Sequence, residues 1–246
     1  MNHRLKYFQE RCSQNRFLWF DQNDYLPDMY AQLTEEEWQI MVYFFEETER
    51  RQFIGECSIP MMSEMLGFIQ GNNLDRIVQC GHYAGWSSLL IGWTLRRMGK
   101  THALYSIDID PEVTKFTNTM IQISGLSNIV HLEVADSSDP DMPESAEQYL
   151  QSDPKMIFID SSHQYEHTLK ELDLWYPVLQ KGGLIFMHDI SVFAQEFDTT
   201  KKGGVHMALL KWISLNNPSW FGLNNYIEGG EKLVRQDGCG AGVIQK

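Results

Sequence analysis

The sequence has 246 residues, of which 33 are Asp or Glu and 20 are Lys or Arg, so its formal net charge is −13. Hydrophobic residues make up 43% and charged residues 22%, which is enough to bury a full core and excludes a disordered chain. The acidic balance argues against nucleic acid or an anionic membrane as a partner, because binding to phosphates needs an excess of Lys and Arg.

Membrane insertion and secretion are also not expected. No apolar run approaches the roughly 18–20 residues needed to span a bilayer, and Met1 to Glu10 lacks the apolar centre of a secretory signal. The four cysteines show neither a CxxC pair nor the spacing of a zinc site; they are Cys12, Cys57, Cys80 and Cys239. We therefore expect reduced thiols in a cytoplasmic protein.

The N-terminal part of the chain is predicted to be helical. Thr34 and Glu37 have the spacing of a capping box, and apolar residues follow at helical intervals, namely Trp38, Met41, Val42 and Phe45. A second helix is predicted over Pro60–Ile69. Residues 1–72 are too few and too apolar to stand alone, so we expect them to form a helical cap on a domain of residues 73–246. The aromatic and Met-rich side chains of this cap are expected to serve as core and as contacts in a homo-oligomer.

From residue 74 the pattern changes to short strands that alternate with helices. The predicted strands cover 75–80, 103–108, 128–134, 155–160 and 184–188. Helices are predicted over 85–98, from 111 to the terminating Gly125, between the fourth and fifth strands, and over 205–215. Such alternation implies right-handed crossovers and a parallel sheet. Residues 220–227 and 240–245 are expected to add two antiparallel strands. The predicted fold class is therefore α/β, a Rossmann-like sheet of seven mostly parallel strands with a C-terminal antiparallel hairpin.

Acidic residues follow most of the predicted parallel strands. The first strand ends at the loop Gly81–Gly85, and the next four end at Asp108, Asp136, Asp160 and the pair His188-Asp189. Ligands of open parallel sheets bind outside the carboxyl ends of the strands. A single Asp at such a place could simply cap the following helix, but four of five ends together predict a binding site.

The first loop indicates which ligand binds. A dinucleotide-binding loop reads G-x-G-x-x-G, and its second Gly lets the backbone approach a diphosphate. Tyr83 occupies that position here, and no Gly-Lys-Ser/Thr of a P-loop follows. The loop therefore favours an adenosine ligand without phosphates, and S-adenosylmethionine (SAM) meets that requirement.

From Leu74 to Lys246 the sequence resembles the class I SAM-dependent methyltransferases. The resemblance is carried by Ile-Val-Gln-Cys-Gly-His-Tyr-Ala-Gly-Trp-Ser at the first strand, Leu-Tyr-Ser-Ile-Asp108 at the second and Ala135-Asp136-Ser137 after the third. The stretches Ile157–Glu166 and Val178–Ile190 are similar to a subgroup of small-molecule O-methyltransferases, which includes macrolide-sugar and cephalosporin-pathway enzymes. The resemblance implies methyl transfer to a hydroxyl of a small molecule, with a sugar or natural product as the acceptor.

The resemblance also implies roles for individual residues. Asp108 would accept both ribose hydroxyls, and Asp136 with the amide of Ser137 would bind the adenine edge. Gly81, Gly85 and Ser87 would lie against the methionine part. The full implied set of cofactor-binding residues is Gln79, Gly81, His82, Tyr83, Gly85, Ser87, Asp108, Asp136, Ser137 and Asp160.

In the resembled subgroup a divalent metal such as Mg or Mn activates the acceptor hydroxyl. The matching ligand positions in this sequence are Asp160, His188 and Asp189. His163, three residues after Asp160, matches the general base, and Asp160 with His163 is the predicted catalytic pair. The alternative is that His163 has no catalytic role and only belongs to the start of the following helix.

Two positions depart from the family pattern. Gln79 replaces an acid in the first motif, so its contact to the cofactor's ammonium group would be neutral. His188 replaces an Asp or Glu, which favours a softer metal such as Mn, Fe or Zn, or no metal at all. Two other functions therefore stay open, a non-catalytic binding protein that keeps the SAM fold and a nicotinamide-dependent oxidoreductase.

Overall fold

The computed structural model describes residues 2–21, 25–223 and 237–246. The helices in chain order are α1 His3–Gln9, α2 Leu18–Asp21, α3 Asp28–Ala31, α4 Glu35–Arg51, α5 Ile59–Asn72, α6 Trp86–Arg97, α7 Pro111–Ile123, α8 Met142–Leu150, α9 Tyr165–Val178 and α10 Gly204–Asn216. The strands are β1 Ile77–Cys80, β2 Leu104–Asp108, β3 Val130–Val134, β4 Met156–Ile159, β5 Leu184–His188, β6 Ser219–Leu223 and β7 Ala241–Gln245.

Within the described residues the seven strands form one sheet in the order β3-β2-β1-β4-β5-β7-β6. Strands β1 to β5 are parallel, and β7 pairs antiparallel with both β5 and β6. The predicted fold class, with its C-terminal hairpin, is confirmed. The order reverses beside β1, and this switch point is where an open parallel sheet binds its ligand.

Local signals begin most helices as the sequence predicts. Thr34 and Glu37 form the complete capping box at the start of α4, with the Thr34 side chain accepting from the Glu37 amide and the Glu37 carboxylate accepting from Thr34. Asp110 caps α7 by accepting from the amides of Glu112 and Val113, and Pro111 fills the first helical position.

The N-terminal helices share a core with one face of the sheet. Trp38, Met41 and Met65 belong to the same buried cluster as Ile77 of β1 and Phe186 of β5. The opposite face is covered by a second cluster, in which Trp175 of α9 and Trp212 of α10 pack against the strands. The amphipathic stripes of the helices therefore fix which face of the sheet each one covers.

Two elements differ from the sequence prediction or extend beyond the described residues. Helix α8 was not predicted, because only Ala146 and Leu150 of its nine residues are buried and the apolar period is too short to be recognised. Strand β6 ends at Leu223, and the remaining residues of the predicted strand 220–227 lie outside the described residues. None of the described helices combines the length and the apolar character that a membrane span requires.

Candidate active site

A cavity of about 650 Å³ lies at the carboxyl ends of the parallel strands. Its lining joins the loop after β1 with Asp108 and Asp136 at one end and with Asp160, His163 and Asp189 at the other. The volume lies within the range of about 300–1,000 Å³ typical of small-molecule sites. We call the side near Asp108 and Asp136 the adenosine end and the side near Asp160 and Asp189 the acceptor end.

Glycines allow the first loop to pass close to its neighbours. Gly81 has φ +89°, and a Cβ atom there would lie 2.1 Å from the carbonyl oxygen of Asp160. Gly85 has φ +92°, and a Cβ atom there would lie 2.4 Å from Thr117 Cγ2. Both positions therefore require Gly for conformation and for space.

The prediction that Gln79 contacts the cofactor is not supported by its surroundings. Its side chain is fully buried and does not line the cavity. Gln79 Nε2 donates to Gly81 O and Ser87 Oγ, and Gln79 Oε1 accepts from Ser88 Oγ and Ser106 Oγ. These four hydrogen bonds use the whole capacity of the amide, so Gln79 shapes the loop from beneath.

His82 lines the cavity, but both nitrogens of its buried ring are engaged within the protein. Its two nitrogens lie 3.1 Å from Ser106 Oγ and 2.9 Å from Thr114 Oγ1. Burial lowers the pKa of His82 to about 4, although Asp108 acts in the opposite direction. The imidazole is therefore neutral and structural, and only the backbone of His82 is oriented towards Asp108.

Asp108 is placed as the sequence predicts and is held by three amides. Its Oδ2 accepts from the amides of His82 and Tyr83 at 3.1 and 2.7 Å, and its Oδ1 accepts from the amide of Asp110 at 3.0 Å. A carboxylate has about four lone-pair positions, so one on Oδ1 stays open for a hydroxyl donor. This arrangement fits a ribose.

After β3, Asp136 and Ser137 both line the cavity, and Ser137 is buried. Asp136 Oδ1 accepts from the amide and the hydroxyl of Ser138, both at 2.8 Å. Ser137 Oγ donates to Glu171 at 2.5 Å, and Ser137 O accepts from Trp175 Nε1 at 2.9 Å. The Ser137 side chain is thus committed to the protein, which leaves its backbone as the group that could meet a ligand.

The predicted residues of the acceptor end come together in space. His163 Nε2 lies 3.0 Å from Asp189 Oδ2 and 3.8 Å from Asp160 Oδ1. His188 Nδ1 lies 3.4 Å from Asp160 Oδ1 and 3.5 Å from Asp189 Oδ2. Two imidazoles therefore surround two carboxylates, of which Asp189 is buried.

These contacts shift the pKa values of all four groups. Burial alone would lower the pKa of His163, but hydrogen bonds to Asp160 and Asp189 raise it to about 10. Burial would lower the pKa of His188 as well, and the charges of Asp189 and Asp160 raise it well above its usual value. Burial would raise the pKa values of both carboxyl groups, but His188 and His163 lower them. The cluster holds its charges as two ion pairs.

Two overlapping sets of side chains at the acceptor end have the spacing of metal ligands. Asp160, His163 and Asp189 offer ligand atoms within 4.8 Å of one another, and so do His188, Asp189 and Cys239. Two carboxylates, imidazoles and a thiol fit a divalent transition metal better than Mg²⁺, which prefers oxygen ligands. Of the predicted ligands, Asp160 and Asp189 belong to the first set and His188 and Asp189 to the second.

Three residues that line the cavity have an unusual backbone conformation. Tyr83, His163 and Asp189 have φ values of +43°, +58° and +60°, in a region that residues other than Gly rarely adopt. All three line the cavity. Such conformations persist where the surrounding structure holds them, and they are concentrated at functional sites.

Several lining residues were not predicted from the sequence. The segment 53–57 between α4 and α5 contributes to the wall, and Gly55 packs against the Tyr83 ring. This segment is fixed by an ion pair between Glu56 and Arg16 of the N-terminal part. Phe197, His167 and Cys239 complete the lining from elements far apart in sequence. No periodic or motif signal marks these residues, because only the chain's long-range packing brings them here.

Comparisons with known proteins agree with this geometry. Residues 78–190 match the family model described as a methyltransferase domain. This match runs from β1 to just past Asp189, and so includes the strand ends that line the cavity. No curated protein sequence matches the chain.

Solved structures resemble most of the chain. An O-methyltransferase from Bacillus cereus in complex with S-adenosylhomocysteine (SAH) has a TM-score of 0.66 at 13% identity, covering 85% of this chain and 91% of its own. The O-methyltransferase TomG from Streptomyces achromogenes, involved in tomaymycin synthesis and bound to SAM, has a TM-score of 0.60 at 14% identity, covering 87% and 90%. An SAH-bound methyltransferase from Podospora anserina has a TM-score of 0.58 at 15% identity, covering 86% and 88%.

At 13–15% sequence identity, the similarity to these solved structures shows the fold alone. The sheet order, the C-terminal hairpin and the domain match agree with one another. The chain has the Rossmann-like fold of the class I methyltransferases, and the domain match together with this fold supports a SAM-dependent methyltransferase.

Proposed function

We propose that the protein is a SAM-dependent O-methyltransferase that acts on a hydroxyl group of a small molecule. The observation that carries this proposal is a single cavity that joins a phosphate-free adenosine site to a cluster of carboxylates and imidazoles. The sequence resemblance to macrolide-sugar and cephalosporin-pathway enzymes supports a sugar or another natural product as the acceptor.

The adenosine end supports SAM in preference to a dinucleotide. Asp108 is ordered by three backbone amides and keeps an acceptor position for a ribose hydroxyl. Tyr83 stands where a dinucleotide-binding loop has Gly, and its ring packs on Gly55. A diphosphate would have to approach the backbone at this point, and the tyrosine side chain occupies the approach.

The acceptor end supports activation of a hydroxyl group. Methyl transfer is an in-line displacement, so the protein mainly has to orient the acceptor oxygen and remove its proton. His163 is the proposed proton acceptor in its neutral form, which it would reach when a divalent cation compensates Asp160 and Asp189, because these two carboxylates are what raise its pKa. Phe197, whose ring centroid lies 5.7 Å from that of His163, would contact the acceptor beside the proposed base.

A divalent metal is part of the proposal, held by Asp160, Asp189 and His188, with Cys239 as a further ligand. When bound, it would lower the pKa of the acceptor hydroxyl. The mixture of carboxylate, imidazole and thiol donors supports Mn, Fe or Zn in preference to Mg.

Calorimetry with SAH tests the cofactor assignment directly. We expect SAH to bind the wild-type protein and Asp108→Asn to weaken it by at least ~10-fold, because a hydrogen bond to a charged group is worth about 1.5–3 kcal/mol. The matched control is Asp110→Asn, since Asn keeps the cap of α7 and Asp110 does not line the cavity.

The proposal fails if SAH does not bind at millimolar concentration. A thermal shift with NAD and none with SAH would instead favour an oxidoreductase. Binding of SAH without methyl transfer to a wide panel of hydroxylated acceptors would favour a non-catalytic binding protein.

A further inference from the structure

A buried network lies behind the adenosine end and connects β3, β4 and α9. Its centre is Glu171, a fully buried acid on α9. Glu171 Oε1 accepts from Ser137 Oγ at 2.5 Å, and Glu171 Oε2 accepts from Ser161 Oγ at 2.8 Å. The loops that follow β3 and β4 are therefore tied to the same carboxylate.

His167 connects this buried acid to the cavity. It lies one turn before Glu171 on α9, and its Nδ1 is 3.3 Å from Glu171 Oε2. On the other side of the ring, His167 Nε2 is 2.9 Å from Asp136 Oδ1. The imidazole thus stands between two carboxylates and lines the cavity itself.

The charge of His167 follows from these neighbours. Burial alone would lower its pKa, but Glu171 and Asp136 raise the pKa of His167 to about 9. At neutral pH both ring nitrogens therefore carry protons: Nε2 donates to Asp136, and Nδ1 lies in an ion pair with Glu171 that lacks the geometry of a hydrogen bond. The pKa of Asp136 is lowered by bonds to Ser138 and His167, although burial opposes this, so Asp136 stays ionised.

The two oxygens of Asp136 are not equivalent. Its Oδ1 receives the hydrogen bonds from Ser138 and from His167. Among the described residues no hydrogen-bond donor reaches Oδ2. Asp136 therefore presents one carboxylate oxygen as an acceptor with no proton of its own to donate.

We infer that His167 is a positioning residue that makes the cofactor site selective for a 6-aminopurine. By holding Oδ1 of Asp136, His167 fixes the orientation of this ionised carboxylate, whose Oδ2 can only accept a hydrogen bond. An adenine amino group donates to such an oxygen, whereas the carbonyl of a 6-oxopurine would set two acceptors against each other. This inference rests on the proposed function, because it assigns Asp136 to the base of SAM.

A purely structural role for His167 makes a different prediction. If His167 only held α9 against the β3 loop, its removal would weaken adenine and 6-oxopurine ligands by the same factor. The selectivity ratio between the two ligands, in contrast to either affinity alone, reports on the orientation of Asp136.

The experiment measures binding of SAH and of S-inosylhomocysteine, its 6-oxo counterpart, to the full chain by calorimetry. We expect the wild type to prefer SAH by about 10²-fold, because a site built around a hydrogen bond penalises the analogue that cannot make it. His167→Ala should reduce this preference by at least ~10-fold, and His167→Gln should restore part of it by keeping one N–H donor.

A double-mutant cycle shows whether His167 acts through Asp136. We expect Asp136→Asn to lose the preference, and the double variant of Asp136→Asn with His167→Ala to lose no more than Asp136→Asn alone. His131→Ala is the matched control, because His131 pairs with Glu133 on β3 at 3.1 Å and does not line the cavity. Its preference for SAH should equal that of the wild type.

The outcomes separate this inference from the function on which it rests. A wild type that binds neither ligand contradicts the proposed function. A wild type that prefers SAH, with the same preference in His167→Ala and His167→Gln, contradicts the role of His167 alone. Melting temperatures of both variants show that they are folded, and His167→Gln carries the test if His167→Ala is not.

Discussion

The two ends of the cavity use the same residue types for different purposes. At the adenosine end His167 lies between Asp136 and Glu171, and at the acceptor end His163 lies beside Asp160 and Asp189. The first pair of carboxylates also accepts from serine hydroxyls and an amide. The second pair is surrounded by imidazoles and, at Asp189, the thiol of Cys239.

This difference decides what each end can do. At the adenosine end the carboxylates of Asp136 and Glu171 share the protonated His167 and also accept from neutral serine and amide donors, so that end can orient a neutral base without a change of charge. At the acceptor end the compensation depends on protons carried by His163 and His188. A buried charge with mobile compensation can accommodate a cation or a charge that develops during the reaction. The backbone agrees, since His167 lies within a helix whereas His163 and Asp189 are held in left-handed loop conformations.

The largest expected effect is at the acceptor end, from Asp189→Asn. Asp189 belongs to both sets of candidate metal ligands, so its replacement should abolish Mn²⁺ binding measured by calorimetry. Turnover on the acceptor identified from a panel should fall by about 10²–10⁴-fold, because the proton acceptor His163 loses its closest partner. SAH affinity should remain close to that of the wild type, since the adenosine end is unchanged.

Glu166→Gln serves as the control for this prediction. Glu166 is an exposed acid at the start of α9 that pairs with Lys202 and does not line the cavity. Unchanged Mn²⁺ binding and turnover in Asp189→Asn would contradict the proposed metal site. The two ends of the cavity would then not differ in the way described above.

The next effect concerns the contact that joins the two ends. In Gly81→Ala the added methyl group would collide with the carbonyl oxygen of Asp160. The alanine would also have to adopt the positive φ of Gly81, which is strained for any residue other than Gly. We expect the free energy of unfolding, measured in urea, to fall by about 3–5 kcal/mol and SAH binding to be lost. Gly67→Ala is the control, because Gly67 lies in α5 with no atom within 4 Å of an added Cβ. That variant should gain about 0.5–1 kcal/mol. Equal stabilities of the two variants would contradict the close approach.

The smallest effect is a pH dependence within the adenosine end. His82 has a pKa of about 4 in the folded protein, against an unperturbed value of about 6.5. Between these values the unfolded chain binds a proton that the folded protein does not, so stability falls as the pH is lowered from 6.5 to 4. The loss amounts to about 3 kcal/mol.

Urea titrations at several pH values measure this slope, and His82→Gln should lack it. His167 acts in the opposite direction, because its raised pKa of about 9 keeps a proton that the unfolded chain releases. Its stabilisation is present below pH 6.5 and is lost as the pH rises through 9. A wild-type profile that matches His82→Gln between pH 4 and 6.5 would show that His82 is not buried as described.

Most of the fold could be predicted because its signals are local. The capping box at Thr34, the Asp110-Pro111 start of α7 and the apolar runs of the strands each act within a few residues. Helix α8 escaped prediction because it buries only Ala146 and Leu150. Its position depends on contacts with β2 and α9 that the local sequence does not encode.

The site was predictable to the extent that it lies at strand ends. Asp108, Asp160 and Asp189 could be placed at one edge because parallel strands end together. Their partners could not be assigned, since the side chains of His82 and Gln79 bond within the protein whereas His167 lies between Asp136 and Glu171. Which way a side chain points at a loop depends on the packing behind it.

The sequence by itself determined the order of strands and helices, the glycine loop without a place for phosphates, and the acids at the strand ends. These features follow from periodicity, from the conformational freedom of glycine and from the geometry of parallel sheets. The resemblance already predicted His163 beside Asp160, but only the tertiary structure showed that a second histidine, His167, lies at the adenosine end between Asp136 and Glu171. The two are four residues apart, and the pKa and the partner of each depend on carboxylates brought in from other strands.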